Sequence, residues 1–92
     1  MSDILTAIGH AAALEQLAEE ATELAHAALK VARIFRDDNP TPVSPTDAYL
    51  QLKEEYTDVE IAAMVVGLDT DADVARQKLE RWQGRLRAAG KL

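Results

Sequence analysis

From His10 to Arg36 the chain carries neither proline nor glycine, and alanine, leucine, glutamate and lysine fill most of the positions. These residues are strong helix formers. Uninterrupted over that span they predict one long helix of about 40 Å, and the rest of the chain must be arranged around it. Ser2 and Asp3 start a short helix before it that falters near Gly9. After it, two prolines and an Asx cluster in Asp37-Asp38-Asn39-Pro40-Thr41-Pro42-Val43 predict a loop. Ser44 as N-cap, Pro45 at the first position and Asp47 in the first turn start a second long helix, which runs to about Val66 and ends near Gly67. Thr70-Asp71-Ala72-Asp73 resembles a capping box, with Asp in place of the usual Glu, and the last helix closes near Gly90 as a C′ residue. No strand pattern, internal repeat or second domain is evident. Residues 1–92 read as a single all-α domain.

Apolar residues recur at steps of three and four. The expected stripe is Leu14, Leu17, Ala21, Leu24, Ala28, Val31 and Phe35 on the first long helix. It is Leu52, Tyr56, Val59, Ala63 and Val66 on the second, and Ala75, Leu79, Trp82, Leu86 and Ala89 on the last. Such stripes are the seams of an antiparallel helical bundle: two long helices plus a basic C-terminal helix. Leu29, Ile34, Ile61, Met64 and Val65 lie off the stripes. One small chain has too few helices to cover them, and a domain of this size has a thin core. Completion of the bundle by a homodimer or a dimer of dimers is therefore expected.

The chain has no cysteine, which removes thiol chemistry and disulfides. It has no signal-peptide pattern and no apolar run of membrane-spanning length, so a cytoplasmic protein without membrane contact is expected. The net charge of −6 is unevenly spread. Residues 1–73 hold 15 acids and 4 bases, and residues 74–92 hold 1 acid and 6 bases. An acidic body repels a phosphate backbone, which argues against nucleic-acid binding. A basic tail beside it suits a small anionic ligand together with a cation, or simply attraction between the two regions.

Two acid pairs share one geometry. Relative to the stripe centres, Glu20 on the first long helix and Glu55 on the second each lie roughly 70° to one side, and Glu23 and Asp58 roughly 130° to that same side. Glu23 and Asp58 are also equally far from the intervening turn, about 20 Å along each helix. In an antiparallel hairpin the four carboxylates converge on one face. Like charges so placed raise one another's pKa, and a hard cation with oxygen ligands, Mg²⁺ or Mn²⁺, relieves the repulsion. The plainer alternative is four surface acids on amphipathic helices, as expected for Glu15 and Glu19, which point to solvent with His26 and Arg33.

The run Leu17-Ala18-Glu19-Glu20-Ala21-Thr22-Glu23-Leu24 followed by Leu52-Lys53-Glu54-Glu55-Tyr56-Thr57-Asp58-Val59 gives E-x-x-E on one helix and E-x-x-D on the next. With Gln16-Leu17 upstream, Ala27-Ala28-Leu29-Lys30 downstream and Lys78-Leu79-Glu80-Arg81-Trp82 later, it resembles the MazG-like proteins of the all-α nucleoside triphosphate pyrophosphohydrolase superfamily. The Asn39-Pro40-Thr41-Pro42-Val43 loop is similar to that of short single-domain members from phages and bacteria. The spacing between the two motifs is long for the family, and Thr22 and Thr57 stand where a small residue is frequent. The phosphoribosyl-ATP pyrophosphohydrolases share the acids but carry a Tyr-His shortly after them, where this chain has Ile61-Ala62-Ala63-Met64. The dimeric dUTPases have helices this chain lacks.

The resemblance implies hydrolysis of a nucleoside triphosphate, modified and deoxy forms included, to the monophosphate and pyrophosphate, in house-cleaning or control of the nucleotide pool. It implies Mg²⁺, with Mn²⁺ as a substitute, on Glu20, Glu23, Glu55 and Asp58, and water activated by Glu20 or Glu23. Lys78, Arg81 and Arg85 share one side of the last helix and would grip phosphates, or else pair with the acidic body. Gln16 would contact base or sugar, or only water. Trp82 is expected to pack in a core or interface, Tyr49 and Tyr56 in the core, and His10 and His26 to be bystanders. The rival expectation is a non-catalytic helical interaction module of phage or bacterial origin.

Overall fold

The computed structural model describes residues 2–37 and 43–92. Four helices follow one another, α1 (Ser2–Ile8), α2 (His10–Phe35), α3 (Pro45–Val65) and α4 (Ala72–Ala88), with no strand among the described residues. The expected proline-rich loop falls mainly on residues 38–42, outside the described residues.

Local chemistry sets each boundary. Gly9, at φ 85° and ψ 162°, takes a conformation open essentially to glycine alone, and it breaks α1 from α2. The Ser44 hydroxyl accepts from the Asp47 amide at the start of α3, with Pro45 following. At the start of α4 the cap is Asp71, whose carboxylate accepts from the Val74 amide at 3.0 Å. Thr70, expected to open a capping box, instead donates its own amide to Asp69. Gly67 and Gly90 close α3 and α4 at positive φ. The amides after them, Leu68 and Lys91, reach back to the carbonyls of Ala63 and Leu86, which satisfies carbonyls the helices leave open.

α2 and α3 pack as an antiparallel hairpin, and α1 folds back against both. The packed line on α2 runs through Ala13, Leu17, Glu20, Leu24, Ala27, Val31 and Ile34, and on α3 through Ala48, Leu52, Glu55, Val59, Ala62 and Val66. Steps of four and three alternate throughout, the 3.5-residue period of a coiled-coil seam. This seam is rotated from the expected stripe. Leu14, Ala21, Ala28 and Phe35 are exposed, Phe35 at 77%, as are Tyr49 and Tyr56, which were expected in the core. The reason is volume. Alanines at 13, 27, 48 and 62 let the helices approach closely, whereas Leu14, Phe35, Tyr49 and Tyr56 in the seam would hold them apart. Ile34 and Val65, expected to face another subunit, are half-buried and buried within the chain, whereas Leu29, Ile61 and Met64 are exposed as expected.

The two halves of the hairpin also repeat one another. Residues 13–31 align on residues 48–66 at a constant offset of 35, with identical residues at Ala13/Ala48, Gln16/Gln51, Leu17/Leu52, Glu19/Glu54, Glu20/Glu55, Thr22/Thr57, Ala27/Ala62, Ala28/Ala63 and Val31/Val66. The expectation of no internal repeat is corrected. The pairs Ala13/Ala48 and Ala27/Ala62 are buried in both halves, and Thr22 and Thr57 each donate to the carbonyl four residues back. An approximate two-fold axis therefore passes between the helices near Glu20 and Glu55.

α4 stands apart. Among the described residues it packs on no other helix, and none of its residues is buried. Trp82, expected in a core or interface, is 59% exposed within the chain. The radius of gyration is 16.9 Å, against about 12 Å for a compact chain of this length.

Candidate metal centre

Glu20 and Glu55 occupy seam positions where a coiled coil would place apolar residues. Each is half-buried, and the Oε2 atom of each is buried without a hydrogen-bond partner among the described residues. Gln16, one turn before Glu20, donates from Nε2 to Glu20 Oε1 at 2.7 Å. That bond fixes the rotamer of Glu20, so Gln16 positions a carboxylate here. Glu23 lies one turn further along α2 on the same side, exposed. One carboxylate oxygen from each of Glu20, Glu23 and Glu55 lies within 4.8 Å of the other two.

Crowding leaves a mark on Glu55. Its pKa is raised above the ordinary 4.5, first by burial, then by the charge of Glu23 and by a hydrogen bond that Glu23 accepts from the protonated form, then by the charges of Asp58 and Glu20. Asp58 is thus close enough to be felt, but it stands outside the set of three. It lines a cleft on the same face with Gln16 and Glu20. Glu54 is exposed, and Glu60 accepts from the Tyr56 hydroxyl at 2.8 Å.

The donor set suits a hard cation. Ligand oxygens at about 2.1 Å from Mg²⁺ lie at most about 4.2 Å apart across the ion, a small side-chain adjustment from the observed spread. Two buried oxygens without partners carry an unmet desolvation cost that a cation would remove. The three glutamates are a possible metal site, and their all-oxygen chemistry favours no softer ion.

Lys78, Arg81 and Arg85 do not join this site within one chain. They line a shallow hollow on α4 with Trp82, away from the hairpin. Other basic side chains are nearer. His26, Lys30 and Arg33 line a cleft with Glu23, Gln51 and Glu55. His26 and Arg33 were expected to point to solvent with Glu15 and Glu19. Both are exposed as expected, and the rotation of the seam from Ala28 to Ala27 brings them to the edge of the acidic face. The 35-residue repeat was the available signal, since it assigns His26 and Lys30 the places that Ile61 and Val65 hold in the other half.

No protein-family model, curated protein or solved structure matches the chain. Among the described residues no helix is long and apolar enough to cross a membrane.

Proposed function

We propose that the acidic face of the α2–α3 hairpin binds Mg²⁺ and hydrolyses a nucleoside triphosphate to the monophosphate and pyrophosphate. The observation that carries this reading is the convergence of the seam residues Glu20 and Glu55 with the exposed Glu23, with two buried oxygens left without partners among the described residues. Carboxylates at a seam weaken the hairpin that holds them, and a cation explains their presence better than packing does. The resemblance to MazG-like enzymes supplies the reaction.

Bound there, Mg²⁺ would neutralise charge building on the phosphates and acidify water. Glu20, Glu23 and Glu55 would hold the ion, with Asp58, on the rim of the adjoining cleft, as a further carboxylate ligand. Glu20 or Glu23 takes the proton of the attacking water. The water oxygen bonds to the α-phosphorus, the bond from that phosphorus to the α–β bridging oxygen breaks, and pyrophosphate leaves with the bonding pair. Gln16 keeps Glu20 in place throughout.

The protein acts as a homodimer or a dimer of dimers. α4, with the apolar Leu79 and Trp82 uncovered beside Lys78, Arg81 and Arg85, docks on a second copy, whose hairpin is acidic. Light scattering at micromolar concentration tests this, and a monomer would contradict it. The uncovered α4 is also the observation behind a second reading, a non-catalytic module that uses this helix to hold a partner. Calorimetric titration with Mg²⁺ followed by a pyrophosphate-release assay separates the two. Stoichiometric binding and turnover support the enzyme, and neither with Mg²⁺ nor with Mn²⁺ supports the module.

A further inference from the structure

The repeat gives the hairpin face two equivalent clefts, one on each side of the glutamates. In the first, of about 200 Å³, Gln16 and Glu20 of α2 face Asp58, Ile61 and Val65 of α3. In the second, of about 350 Å³, the equivalent residues Gln51 and Glu55 of α3 face Glu23, His26 and Lys30 of α2. The shared frame makes the differences informative. Ile61 and Val65 are replaced by His26 and Lys30. Ile4 and Ile8 of α1 wall the first cleft, and Arg33 walls the second. One cleft has become apolar, and the other carries Lys30 and Arg33 beside its two glutamates.

The cations of the second cleft are not spent on the fold. Lys30 is half-buried and Arg33 exposed, yet neither makes an ion pair among the described residues, although Glu23 and Glu55 line the same cleft. Gln51 differs in the same way from its counterpart. Gln16 donates to Glu20, whereas no bond joins Gln51 to Glu55 among the described residues. Lys30, Arg33 and Gln51 therefore present donors around one hollow beside the glutamates. An Arg–Lys pair with an amide suits phosphate oxygens, Arg bidentately. The first cleft offers a half-exposed isoleucine surface with polar groups at one edge, the lining of a site for a flat, partly apolar group.

We propose that the nucleotide lies lengthwise along this face, its β- and γ-phosphates over His26, Lys30, Arg33 and Gln51 and its base and sugar against Ile4, Ile8 and Ile61. This rests on the reading of the glutamates as a metal site for triphosphate hydrolysis, since the α-phosphorus then sits at the glutamates and the two halves of the substrate fall on opposite sides of them. The cleft of Lys30 and Arg33 becomes the pyrophosphate product site, and the lysine and arginines of α4 are not needed for it.

The experiment is calorimetric binding of Mg²⁺ alone, of inorganic pyrophosphate with Mg²⁺, and of nucleoside monophosphates with Mg²⁺, to the full chain and to variants. Mg²⁺ binds Ile61→Asn as it binds the wild type, and binds Lys30→Gln/Arg33→Gln at least as tightly, since two positive charges beside the glutamates are gone. Lys30→Gln/Arg33→Gln weakens pyrophosphate binding about tenfold or more, the loss expected for charge-assisted contacts, and leaves monophosphate binding within about twofold. Ile61→Asn does the converse. Circular dichroism confirms that each variant remains helical. Unchanged pyrophosphate affinity in Lys30→Gln/Arg33→Gln, or equal loss of both products, overturns the orientation while the metal site stands. A tenfold loss of pyrophosphate binding in Lys78→Gln/Arg81→Gln instead would move the phosphate site to α4 and overturn it too. Absence of Mg²⁺ binding by the wild type removes the metal site and the orientation with it.

Discussion

Replacing Glu20 with leucine separates what the hairpin does for stability from what it does for function. Glu20 lies in the seam between Leu17 and Leu24, half-buried, with Oε2 buried and without a partner. A leucine there extends the apolar line from Leu17 to Leu24 without a break. Full burial of a leucine contributes about 1.5–3 kcal/mol, so half-burial contributes about 1 kcal/mol. The lost bond from Gln16 is exposed and its donor returns to water, so it subtracts little. Relief of repulsion toward Glu23 and Glu55 adds to the gain. In chelator the unfolding midpoint, followed by far-UV circular dichroism, rises by about 4–8 °C in Glu20→Leu, the shift that about 1 kcal/mol produces in a domain of this size. With saturating Mg²⁺ the wild type is stabilised and the variant is not, so the order narrows or reverses. A lower midpoint for Glu20→Leu in chelator would mean that the carboxylate stabilises the fold, and the argument from misplaced seam acids would fail.

The raised pKa of Glu55 sets a pH dependence. Its folded-state value lies above the unfolded one, so it favours folding below about the ordinary 4.5 and loses that contribution as pH rises through the folded value. In chelator, midpoints of wild type and Glu55→Gln converge in acid and diverge toward neutrality with the variant higher; parallel curves would refute the crowding. Gly67→Ala lowers the midpoint by about 4–8 °C, because an L-residue at its φ of 78° costs about 1 kcal/mol and nothing lies within 4 Å of the new methyl group to offset or add to that cost. An unchanged midpoint would place the α3 terminus elsewhere. Trp82 emission shifts to the red on dilution if α4 docks on a second copy, and a concentration-independent, solvent-exposed spectrum would leave α4 free.

Helix boundaries were legible in the sequence because capping and glycine chemistry is local. Ser44, Gly67 and Gly90 each act within a few residues, and the structure places them as expected. The seam was misplaced by a rotation because hydrophobicity favours leucine over alanine, while close helix approach favours alanine. That contest is settled only when two helices meet. Three of the four expected acids, Glu20, Glu23 and Glu55, come together, since equal offsets from any stripe turn them to one face, whereas Asp58 stands outside that set. Their depth was missed, because Glu20 and Glu55 sit in the seam rather than beside it. The same rotation hid His26 and Arg33. The position of α4 was not legible at all, since a regular amphipathic stripe promises a partner without saying whether it belongs to the same chain.

The central claim is that the glutamates of the hairpin hold a cation for triphosphate hydrolysis, and pyrophosphate release tests it most directly. A panel of nucleoside triphosphates is assayed with Mg²⁺ and with Mn²⁺, using wild type, Glu23→Gln, Asp58→Asn and Glu19→Gln. Glu23 belongs to the converging set, Asp58 lines its rim, and Glu19 is an exposed neighbour outside both. The account predicts release by the wild type, a loss of about a hundredfold or more in Glu23→Gln and Asp58→Asn, and near-wild-type release by Glu19→Gln. No release of pyrophosphate from any nucleotide by the wild type, or equal losses in all three variants, would contradict it.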